Sequence, residues 1–440
     1  MYKTLDAPLS AHIEINMSCN QKCRHCYNFW REDNPSLNNP LHKDLASRIV
    51  SQLSLNKVFH VILNGGEPLM SMDSLLFIMR ELSKKTVSFS LNSNLTLLKK
   101  EGAAALREAG LQTVLTSLLS CDEKTHDYLA ATEGSHKRVL AGIEIARSSG
   151  ISIAVNMVVT KNNLHQIYKT GLFAKDLGAF AFSATRAMAP RPPKESFIKE
   201  LSLSPKEVKI IIEQLLLLKE TGLRLESLVP YPGCFFESAE AWSLLGGRSC
   251  SAGKTSIAFS STGEIRACPH HETVYGSIAK NDLSTIWQNL SLWRNGKMLP
   301  KACKDCPLIA KCGGGCRVAS INGNVCGEDS IMQREFLDEG VFAQGTQNTP
   351  GVLIAETTKL RMRKKCRIRN DKEMSIVNTG GIKNTFVTNE TAAILGNLNE
   401  KRVIFTPATL RESKGINMEQ DRYHQFLSKL VIKDVLEIVL

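Results

Sequence analysis

Short apolar runs alternate with amphipathic segments through the first half of the chain. Runs rich in β-branched and other apolar residues predict six buried strands, at 12–16, 58–64, 87–92, 113–117, 152–159 and 180–187. The segment between the fourth and fifth, KRVLAGIEIARSSG, places Val139, Ile143 and Ala146 on one helical face together with Leu140, and Gly150 predicts its end. Six βα units in series predict a parallel sheet with right-handed crossovers, a partial (β/α)6 TIM-like barrel whose chemistry lies at the C-terminal ends of its strands.

The pattern changes after this barrel. APRPPKES at 189–196 interrupts it, and SPKEVKIIIEQLLLLKETG predicts one long helix leading out of the barrel. Residues 250–326 are rich in Cys and Gly, which suits a fold held by metal. From about Thr349 onward, two short strands precede helices, the first capped by Asn389, in the outline of a winged helix. We therefore predict a barrel at 8–215, a bridging helix and linker at 216–249, a cysteine-rich domain at 250–345 and a small α+β domain at 353–440.

Composition narrows the class of protein. Hydrophobic residues make up 43% and charged residues 22% of the 440 residues, as in globular proteins. Since no apolar run approaches the roughly 20 residues of a membrane span and MYKTLDAPLS is no signal peptide, we predict a cytoplasmic protein without a membrane partner. The 13 cysteines then indicate metal ligands or buried thiols. A net charge of +12 invites a nucleic acid, a membrane or an acidic peptide, but does not choose among them.

Three cysteines follow the first predicted strand, Cys19, Cys23 and Cys26 in CNQKCRHCYNFW. A four-iron cube held by three thiolates keeps one iron open for a ligand. A structural zinc ion would need a fourth ligand. The strand that follows ends in NGGEP, where Gly65 and Gly66 predict a turn that lets the backbone approach a ligand.

Further groups complete this predicted pocket. Glu67, followed by Pro68, can accept hydrogen bonds from an ammonium group, and Ser93 and Asn94 after the third strand suit ribose hydroxyls. Together these groups predict a pocket for an amino acid nucleoside on an open iron, which a zinc site would not explain.

Over about residues 8–215 the chain resembles the radical S-adenosylmethionine (radical SAM) enzymes, which carry Cys-x3-Cys-x2-Cys followed by an aromatic residue, here Tyr27. The resemblance implies a 4Fe-4S cluster on the three cysteines, S-adenosylmethionine on the open iron, and a 5′-deoxyadenosyl radical that abstracts hydrogen. It also implies that Glu67 holds the amino group of the cofactor.

The same resemblance implies that Ser93, Asn94 and Ser117 contact its ribose or carboxylate, with Arg186 a further candidate for the carboxylate. Leu95 stands where the family usually has glycine, and Leu119 where relatives carry aspartate.

A second set of seven cysteines is one short of two four-thiolate clusters: Cys250, Cys268, Cys303, Cys306, Cys312, Cys316 and Cys326. Their spacing resembles the SPASM domain of radical SAM enzymes, whereas a zinc site at the four-cysteine run is the alternative. The resemblance implies one auxiliary Fe-S cluster on Cys250, Cys268 and Cys316, and another on Cys303, Cys306, Cys312 and Cys326. Cys234 either supplies the missing ligand of the first cluster or is a buried inert thiol.

The residues after Cys268 bear on the chemistry. Sulfatase-maturing relatives carry an aspartate at the position of Pro269, so formylglycine formation is disfavoured. His270 or His271 could deprotonate a substrate, although paired surface histidines are the alternative.

The C-terminal region resembles the PqqD-like recognition elements for ribosomally synthesised and post-translationally modified peptides (RiPPs), which bind a leader peptide as an added strand. Its basic stretch would attract an acidic leader: Lys359, Arg361, Arg363, Lys364, Lys365, Arg367 and Arg369. The alternatives are a solvated basic strand in a domain that covers the barrel, and a DNA-binding winged helix. A nucleic-acid partner is not predicted, because the helical segments are not notably basic.

These resemblances together predict a radical SAM/SPASM peptide maturase. It would install a carbon–carbon, thioether or ether crosslink in a precursor peptide with loss of two hydrogens, using electrons from a flavodoxin- or ferredoxin-type donor. The alternatives are a maturase of a protein or quinone-cofactor precursor, and a non-catalytic Fe-S electron-transfer protein. An electron-transfer protein would not need the pocket that NGGEP predicts.

Overall fold

A computed structural model describes residues 5–28, 40–189, 195–320, 326–333, 352–363 and 366–439. Its central feature is a ten-stranded sheet with the order β10-β9-β8-β1-β2-β3-β4-β5-β6-β7. The strands are β1 Ser10–Glu14, β2 His60–Asn64, β3 Ser88–Asn92, β4 Thr113–Ser117, β5 Ser152–Val159, β6 Ala181–Arg186, β7 Arg224–Glu226, β8 Ser256–Phe259, β9 Glu264–Arg266 and β10 Val274–Ser277. Strands β1 to β7 run parallel, and β8 joins β1 in parallel.

All six strands predicted from the sequence are present, with ends shifted by at most two residues. They do not close on one another, because β1 pairs with β8 on its outer side and β6 pairs with β7. The result is an open, TIM-like α/β core. The sequence analysis missed β7 to β10.

Helices cover the sheet. Those of the first half are α1 Lys43–Leu55, α2 Met72–Lys84, α3 Lys100–Glu108, α4 Glu123–Ala130, α5 Ser135–Ser148, α6 Ile167–Asp176, α7 Glu195–Glu200, α8 Pro205–Lys219 and α9 Ala239–Leu245, with 3-10 turns at Pro68–Ser71, Leu164–Gln166 and Gly233–Phe235. Helix α5 buries Val139, Ile143 and Ala146 and stops before Gly150, whose φ of +76° glycine adopts without strain. Helix α8 packs on α6, β6 and β7, so it belongs to the barrel wall and does not lead out of it as predicted.

The cysteine-rich region packs into the same core as the barrel. It contains the hairpin of β8 and β9, whose turn includes Gly263, and the helices α10 Leu283–Asn289, α11 Ser291–Arg294 and α12 Ile309–Cys312, with a 3-10 turn at Lys301–Cys303. Trp287 anchors it by burying its ring and donating to the carbonyl of Leu5 at 2.8 Å. The predicted end of this domain at 345 and the change of texture near Thr349 lie outside the described residues.

The C-terminal domain has its own apolar core. Strand β11 Leu360–Met362 pairs with β15 Leu436–Ile438, and β12 Arg367–Asn370, β13 Ser375–Asn378 and β14 Asn384–Val387 form a three-stranded antiparallel sheet. The helices are α13 Asn389–Lys401, α14 Pro407–Lys414 and α15 Gln420–Ile432. Thr388, which accepts from the backbone N–H of Thr391, caps α13, so the prediction that Asn389 is the cap was wrong by one residue.

Two arginines of β12 attach this domain to the barrel. The buried Arg369 donates to the carbonyls of Ala7 and Pro8, both at 2.9 Å. Arg367 donates to the carbonyls of Thr86, at 2.8 Å, and Phe59. All four carbonyls precede β1, β2 or β3, so the domain sits at the N-terminal ends of the strands. Within the described residues, no helix is long and apolar enough to cross a membrane.

Candidate iron-sulfur and cofactor site

The loop with Cys19, Cys23 and Cys26 follows β1 at the C-terminal end of the parallel strands. None of the three cysteines forms a disulfide, and all three are partly exposed. The loop is anchored at several points: the Gln21 side chain donates to the Ser135 hydroxyl at 2.5 Å, and the Arg24 backbone N–H donates to the carbonyl of Leu129 at 2.9 Å. The three thiols therefore lie on a braced loop at the edge where barrel enzymes carry their chemistry.

The turn after β2 packs directly on this loop. The backbone N–H of Gly66 donates to the carbonyl of Asn16 at 3.1 Å, and that of Glu67 to the carbonyl of Ser18 at 2.7 Å. A Cβ on Gly65 would lie 2.6 Å from the Asn16 oxygen, and one on Gly66 2.0 Å from the Ser18 oxygen. The cysteine loop therefore fills the space that side chains at these two positions would occupy, and approach of a ligand to the turn stays a prediction.

Glu67 joins this turn to the loop after β3. Its carboxylate accepts from the backbone N–H of Leu69 at 3.0 Å, the hydroxyl of Ser93 at 2.6 Å and the backbone N–H of Asn94 at 2.8 Å. Burial raises the pKa of the Glu67 carboxyl, while the three hydrogen bonds act in the opposite direction. Pro68 starts the 3-10 turn that follows. The structure therefore brings Glu67, Ser93 and Asn94 together, and Ser117 ends β4 at the same edge of the sheet.

The loop after β3 closes the other side of the site. The Asn94 amide donates to the Asn20 side-chain oxygen at 3.0 Å, which ties this loop to the cysteine loop. Leu95 has a φ of +58°, and a Cβ on Gly142 would lie 2.3 Å from its carbonyl oxygen. This conformation explains why glycine is common at this position in the family, because only glycine adopts it without strain.

Leu119, the other departure from the family pattern, is buried in a small apolar cluster with Leu129 and Phe197. Its backbone N–H donates to Nδ1 of His126 at 3.2 Å. At the position where the resemblance leads us to expect aspartate, this chain therefore has a side chain that packs in an apolar cluster.

A set of buried polar residues joins the cysteine loop to the cysteine-rich domain. The ring of Tyr27 stacks on His270, with centroids 3.7 Å apart and 8° between the planes. Glu14 of β1 forms an ion pair with Arg266 of β9, and both side chains are buried. Burial and the nearby Arg266 lower the pKa of His270 to about 4, so this imidazole is neutral at pH 7.

His271 has different surroundings from His270. It is buried, its Nδ1 accepts from the backbone N–H of Thr273 at 3.1 Å, and its ring lies edge-on to Trp293 at 5.1 Å. Paired surface histidines were therefore the wrong alternative for His271. Of the two candidates, His270 is the one in contact with the cysteine loop.

Arg186 at the end of β6 is engaged by a partner that the sequence analysis missed. Its terminal nitrogens donate to the Asp329 carboxylate at 2.9 and 2.6 Å, and both side chains are buried. Asp329 also accepts from the backbone N–H of Cys316 at 3.0 Å. The part of the guanidinium that would bind a cofactor carboxylate is thus occupied, and Arg186 joins the barrel to the cysteine-rich domain.

The cysteines of the second half lie in two groups. In the first, burial raises the pKa of the Cys268 thiol and the Cys250 and Cys316 thiols raise it further. In the second, burial raises the pKa of the Cys303 thiol to about 12, with contributions from Cys312, Cys234 and Cys306. Cys326 is also near a sulfur, since its Sγ lies 3.8 Å from Sδ of Met298.

The donor set of these groups fits iron-sulfur clusters. Backbone N–H groups of Gly233 and Gly314 donate to Sγ of Cys312 at 3.0 and 3.3 Å, and such hydrogen bonds stabilise cluster thiolates. In the described ranges, no three His, Cys, Asp or Glu side chains converge closely enough to hold a single metal ion. A four-iron cube binds each thiolate on a different iron and needs no such convergence.

Comparison with known proteins gives the class. Residues 13–174 match the radical SAM superfamily, and residues 250–307 match SPASM, described as an iron-sulfur cluster-binding domain. The protein is a radical SAM enzyme with a SPASM domain. It requires S-adenosylmethionine and a 4Fe-4S cluster, and its SPASM domain binds auxiliary Fe-S clusters.

Individual relatives are more distant. The chain is 27% identical over 337 residues to the AdoMet-dependent heme synthase of Methanosarcina barkeri, covering 72% of this chain and 93% of that protein. It is 24% identical over 365 residues to the PqqA peptide cyclase of Bradyrhizobium diazoefficiens, covering 79% and 92%. The crystal structure of Streptococcus suis SuiB bound to precursor peptide SuiA superposes with a TM-score of 0.60 at 21% identity, covering 75% and 77%, which supports the fold.

Proposed function

We propose that the protein is a peptide maturase that uses a 5′-deoxyadenosyl radical to install an intramolecular crosslink in a ribosomally synthesised precursor peptide. The observation that carries this proposal is the similarity to the PqqA peptide cyclase over 92% of that protein's length. Similarity to the Mycofactocin maturase MftC of Mycolicibacterium smegmatis, at 25% identity, supports it further. A maturase of a quinone-cofactor precursor is one form of this proposal.

The proposed reaction removes two hydrogens from the peptide. When bound, S-adenosylmethionine and the cluster on Cys19, Cys23 and Cys26 would supply the chemistry that abstracts one hydrogen atom from a carbon, with the first electron from an external flavodoxin- or ferredoxin-type donor. Formation of the carbon–carbon, thioether or ether bond would release a proton and a second electron, for which the auxiliary clusters of the SPASM domain would be the acceptor. This chain contributes the binding of the cofactor through Glu67 and its neighbours, and exclusion of water.

The C-terminal domain would bind the leader of the precursor. Strand β14 is an edge of the three-stranded sheet, where a peptide could add as a further strand, and Phe386 and Ile382 are exposed beside it. The ion pairs of the basic stretch indicate a role other than the predicted attraction of an acidic leader. Arg361 pairs with Glu437 and Arg363 with Asp434, so these charges are used within the domain and not held out for an acidic leader.

Of the remaining residues of that stretch, two point the same way, whereas Lys359 is exposed. Arg367 and Arg369 bind the barrel, as described above, and Lys364 and Lys365 lie outside the described residues. The affinity for a leader would therefore come from main-chain pairing and apolar side chains.

A second candidate is a reaction in heme synthesis. It is favoured by the 27% identity to the AdoMet-dependent heme synthase, which spans 93% of that protein. The two candidates share the radical chemistry and differ in substrate.

The deciding experiment is anaerobic co-expression with a short peptide encoded beside the gene, followed by mass spectrometry of the peptide. Loss of two hydrogens with the wild type, absent with Glu67→Gln and retained with the surface control Glu144→Gln, would establish the maturase, and fragmentation would locate the bond. An unchanged peptide mass while 5′-deoxyadenosine is released would contradict the peptide proposal. Conversion of a heme precursor by the same preparation would then favour the second candidate.

A further inference from the structure

Cys234 lies in a segment that is firmly held, YPGCFF at 231–236. Tyr231, Phe235 and Phe236 are buried in the main core, and their rings pack on one another with centroids 5.9 to 6.3 Å apart. Residues Gly233–Phe235 form a single 3-10 turn. The position of Cys234 is therefore fixed by three aromatic side chains.

This segment lies directly on the glycine-rich loop of the second cysteine group, CGGGC at 312–316. The backbone N–H of Gly233 donates to Sγ of Cys312 at 3.0 Å. A Cβ on Gly315 would lie 3.2 Å from Cβ of Pro232, so the two backbones are in close contact. The two residues before Cys234, Pro232 and Gly233, thus touch the loop that carries the predicted ligands.

The surroundings of the Cys234 thiol match those of the predicted ligands. Burial raises the pKa of the Cys234 thiol to about 11, with further contributions from Cys312 and Cys306, and Cys234 contributes in the same way to the raised pKa of the Cys303 thiol. A backbone N–H, that of Gln333, donates to its sulfur, as other backbone N–H groups do to Cys312. Sulfurs that bind iron in clusters commonly accept such hydrogen bonds.

From this geometry we infer that Cys234 is a ligand of the second auxiliary cluster, completing the set of Cys303, Cys306 and Cys312. This assignment differs from the sequence-based alternatives, which placed Cys234 at the first auxiliary cluster or left it inert. It also competes with Cys326, whose Sγ lies against Sδ of Met298 and the carbonyl of Lys297, each at 3.8 Å. With Cys234 used here, Cys250, Cys268 and Cys316 remain the predicted cysteine ligands of the first cluster.

The test compares full-length Cys234→Ser, Cys326→Ser and Cys121→Ser proteins after anaerobic reconstitution. Cys121 is a partly exposed thiol outside both groups and serves as the control. Iron and sulfide per chain are measured, together with Mössbauer and electron paramagnetic resonance spectra. We expect Cys234→Ser to lose about a third of the iron, one of three four-iron clusters, or to show the signal of a three-iron cluster. Iron content and spectra equal to those of the control would overturn the inference, whatever Cys326→Ser does.

Alkylation of the wild-type holoenzyme covers the case in which the serine variant fails to fold. A ligand thiol is protected while the cluster is present, so Cys234 should resist iodoacetamide as Cys312 does and become reactive together with Cys312 when a chelator removes iron. Peptide mass spectrometry follows each cysteine, with the buried Cys366 of the C-terminal domain as a check that the chain stays folded. Labelling of Cys234 in the holoenzyme at the rate of Cys121 would contradict the assignment.

Discussion

A single missing methyl group at residue 66 allows the cysteine loop to reach its position. The neighbouring atom is a backbone oxygen, that of Ser18, and it cannot move aside as a flexible side chain could. The two hydrogen bonds between the glycine turn and the loop depend on the same close approach. A change at this glycine therefore acts on the iron site and not on the packing of the barrel.

Gly66→Ala should consequently release the loop and lose the radical SAM cluster. A Cβ would lie 2.0 Å from the Ser18 oxygen, far inside contact distance. We expect iron per chain to fall by about a third, with the auxiliary clusters retained. The matched control is Gly102→Ala in α3, where the nearest atom is the terminal methyl of Met72 at 3.3 Å. Full iron content in Gly66→Ala would mean that the loop can adjust.

His126 makes stability depend on pH. Its Nδ1 accepts from the backbone N–H of Leu119, and burial, followed by the effect of His136, lowers its pKa from 6.5 to about 4. The unfolded chain binds a proton below pH 6.5 and the folded chain does not, so stability is present above pH 6.5 and is lost as the pH falls toward 4.

When the pH is lowered from 7.5 to 5, His126 should reduce the free energy of unfolding by about 2 kcal/mol. In His126→Asn the amide oxygen can still accept from Leu119, and the dependence on pH should become shallower by that amount. Denaturant unfolding at the two pH values measures the difference. An identical dependence in wild type and variant would show that His126 is protonated in the folded protein.

At the level of strands and loops, two buried ion pairs connect the sheet to the SPASM domain. Glu14 at the end of β1 pairs with Arg266, and Arg186 at the end of β6 pairs with Asp329. Both pairs sit at the C-terminal ends of strands, on the side of the cysteine loop. The two ion pairs therefore fix the cysteine-rich region, which carries the predicted auxiliary-cluster ligands, relative to the cysteine loop.

Asp329→Asn should therefore destabilise the protein strongly. The amide keeps the size of the carboxylate but leaves the Arg186 guanidinium buried without a counter-charge, which costs about 3–5 kcal/mol. Glu144→Gln, which breaks an exposed ion pair with Arg147, should change stability very little, because solvent screens that pair. Unfolding of the holo proteins in denaturant compares the two. Equal, small effects would mean that water or another group compensates Arg186.

Features that depend on residues close together in the sequence could be predicted from the sequence alone. The six barrel strands were predicted because each is a short run rich in β-branched and other apolar residues, and the cysteine loop and the glycine turn were found because their motifs are short. Strands β7 to β10 were not predicted, because each has only three or four residues, too few to show a clear pattern. The pair of Arg186 with Asp329 spans 143 residues and that of Arg266 with Glu14 spans 252, so no local pattern could reveal them.

Considered as a whole, the molecule carries the cysteine loop and the C-terminal domain at opposite ends of the barrel. The cysteine loop follows β1, whereas the C-terminal domain contacts carbonyls that precede β1, β2 and β3. If the leader of a precursor binds to that domain, the segment to be modified must reach the cysteine loop at the other end of the strands. The two ends are at least the length of a five-residue strand apart, about 17 Å.

We therefore expect a minimum spacer in the precursor peptide. At about 3.4 Å per extended residue, at least about five residues must separate the recognised segment from the modified one. Shortening the spacer to two residues should abolish crosslinking in mass spectrometry while leaving binding, measured by fluorescence anisotropy, unchanged. Crosslinking at full yield with the short spacer would argue against leader recognition by the C-terminal domain.

The attachment of that domain has a consequence for how such proteins diverge. Arg367 and Arg369 bind main-chain oxygens of the barrel, and every amino acid supplies such an oxygen. Substitutions at Ala7, Pro8 or Thr86 can therefore accumulate without removing the acceptors, while the arginines stay under constraint. A domain joined in this way keeps its contacts whatever side chains the barrel carries at those positions.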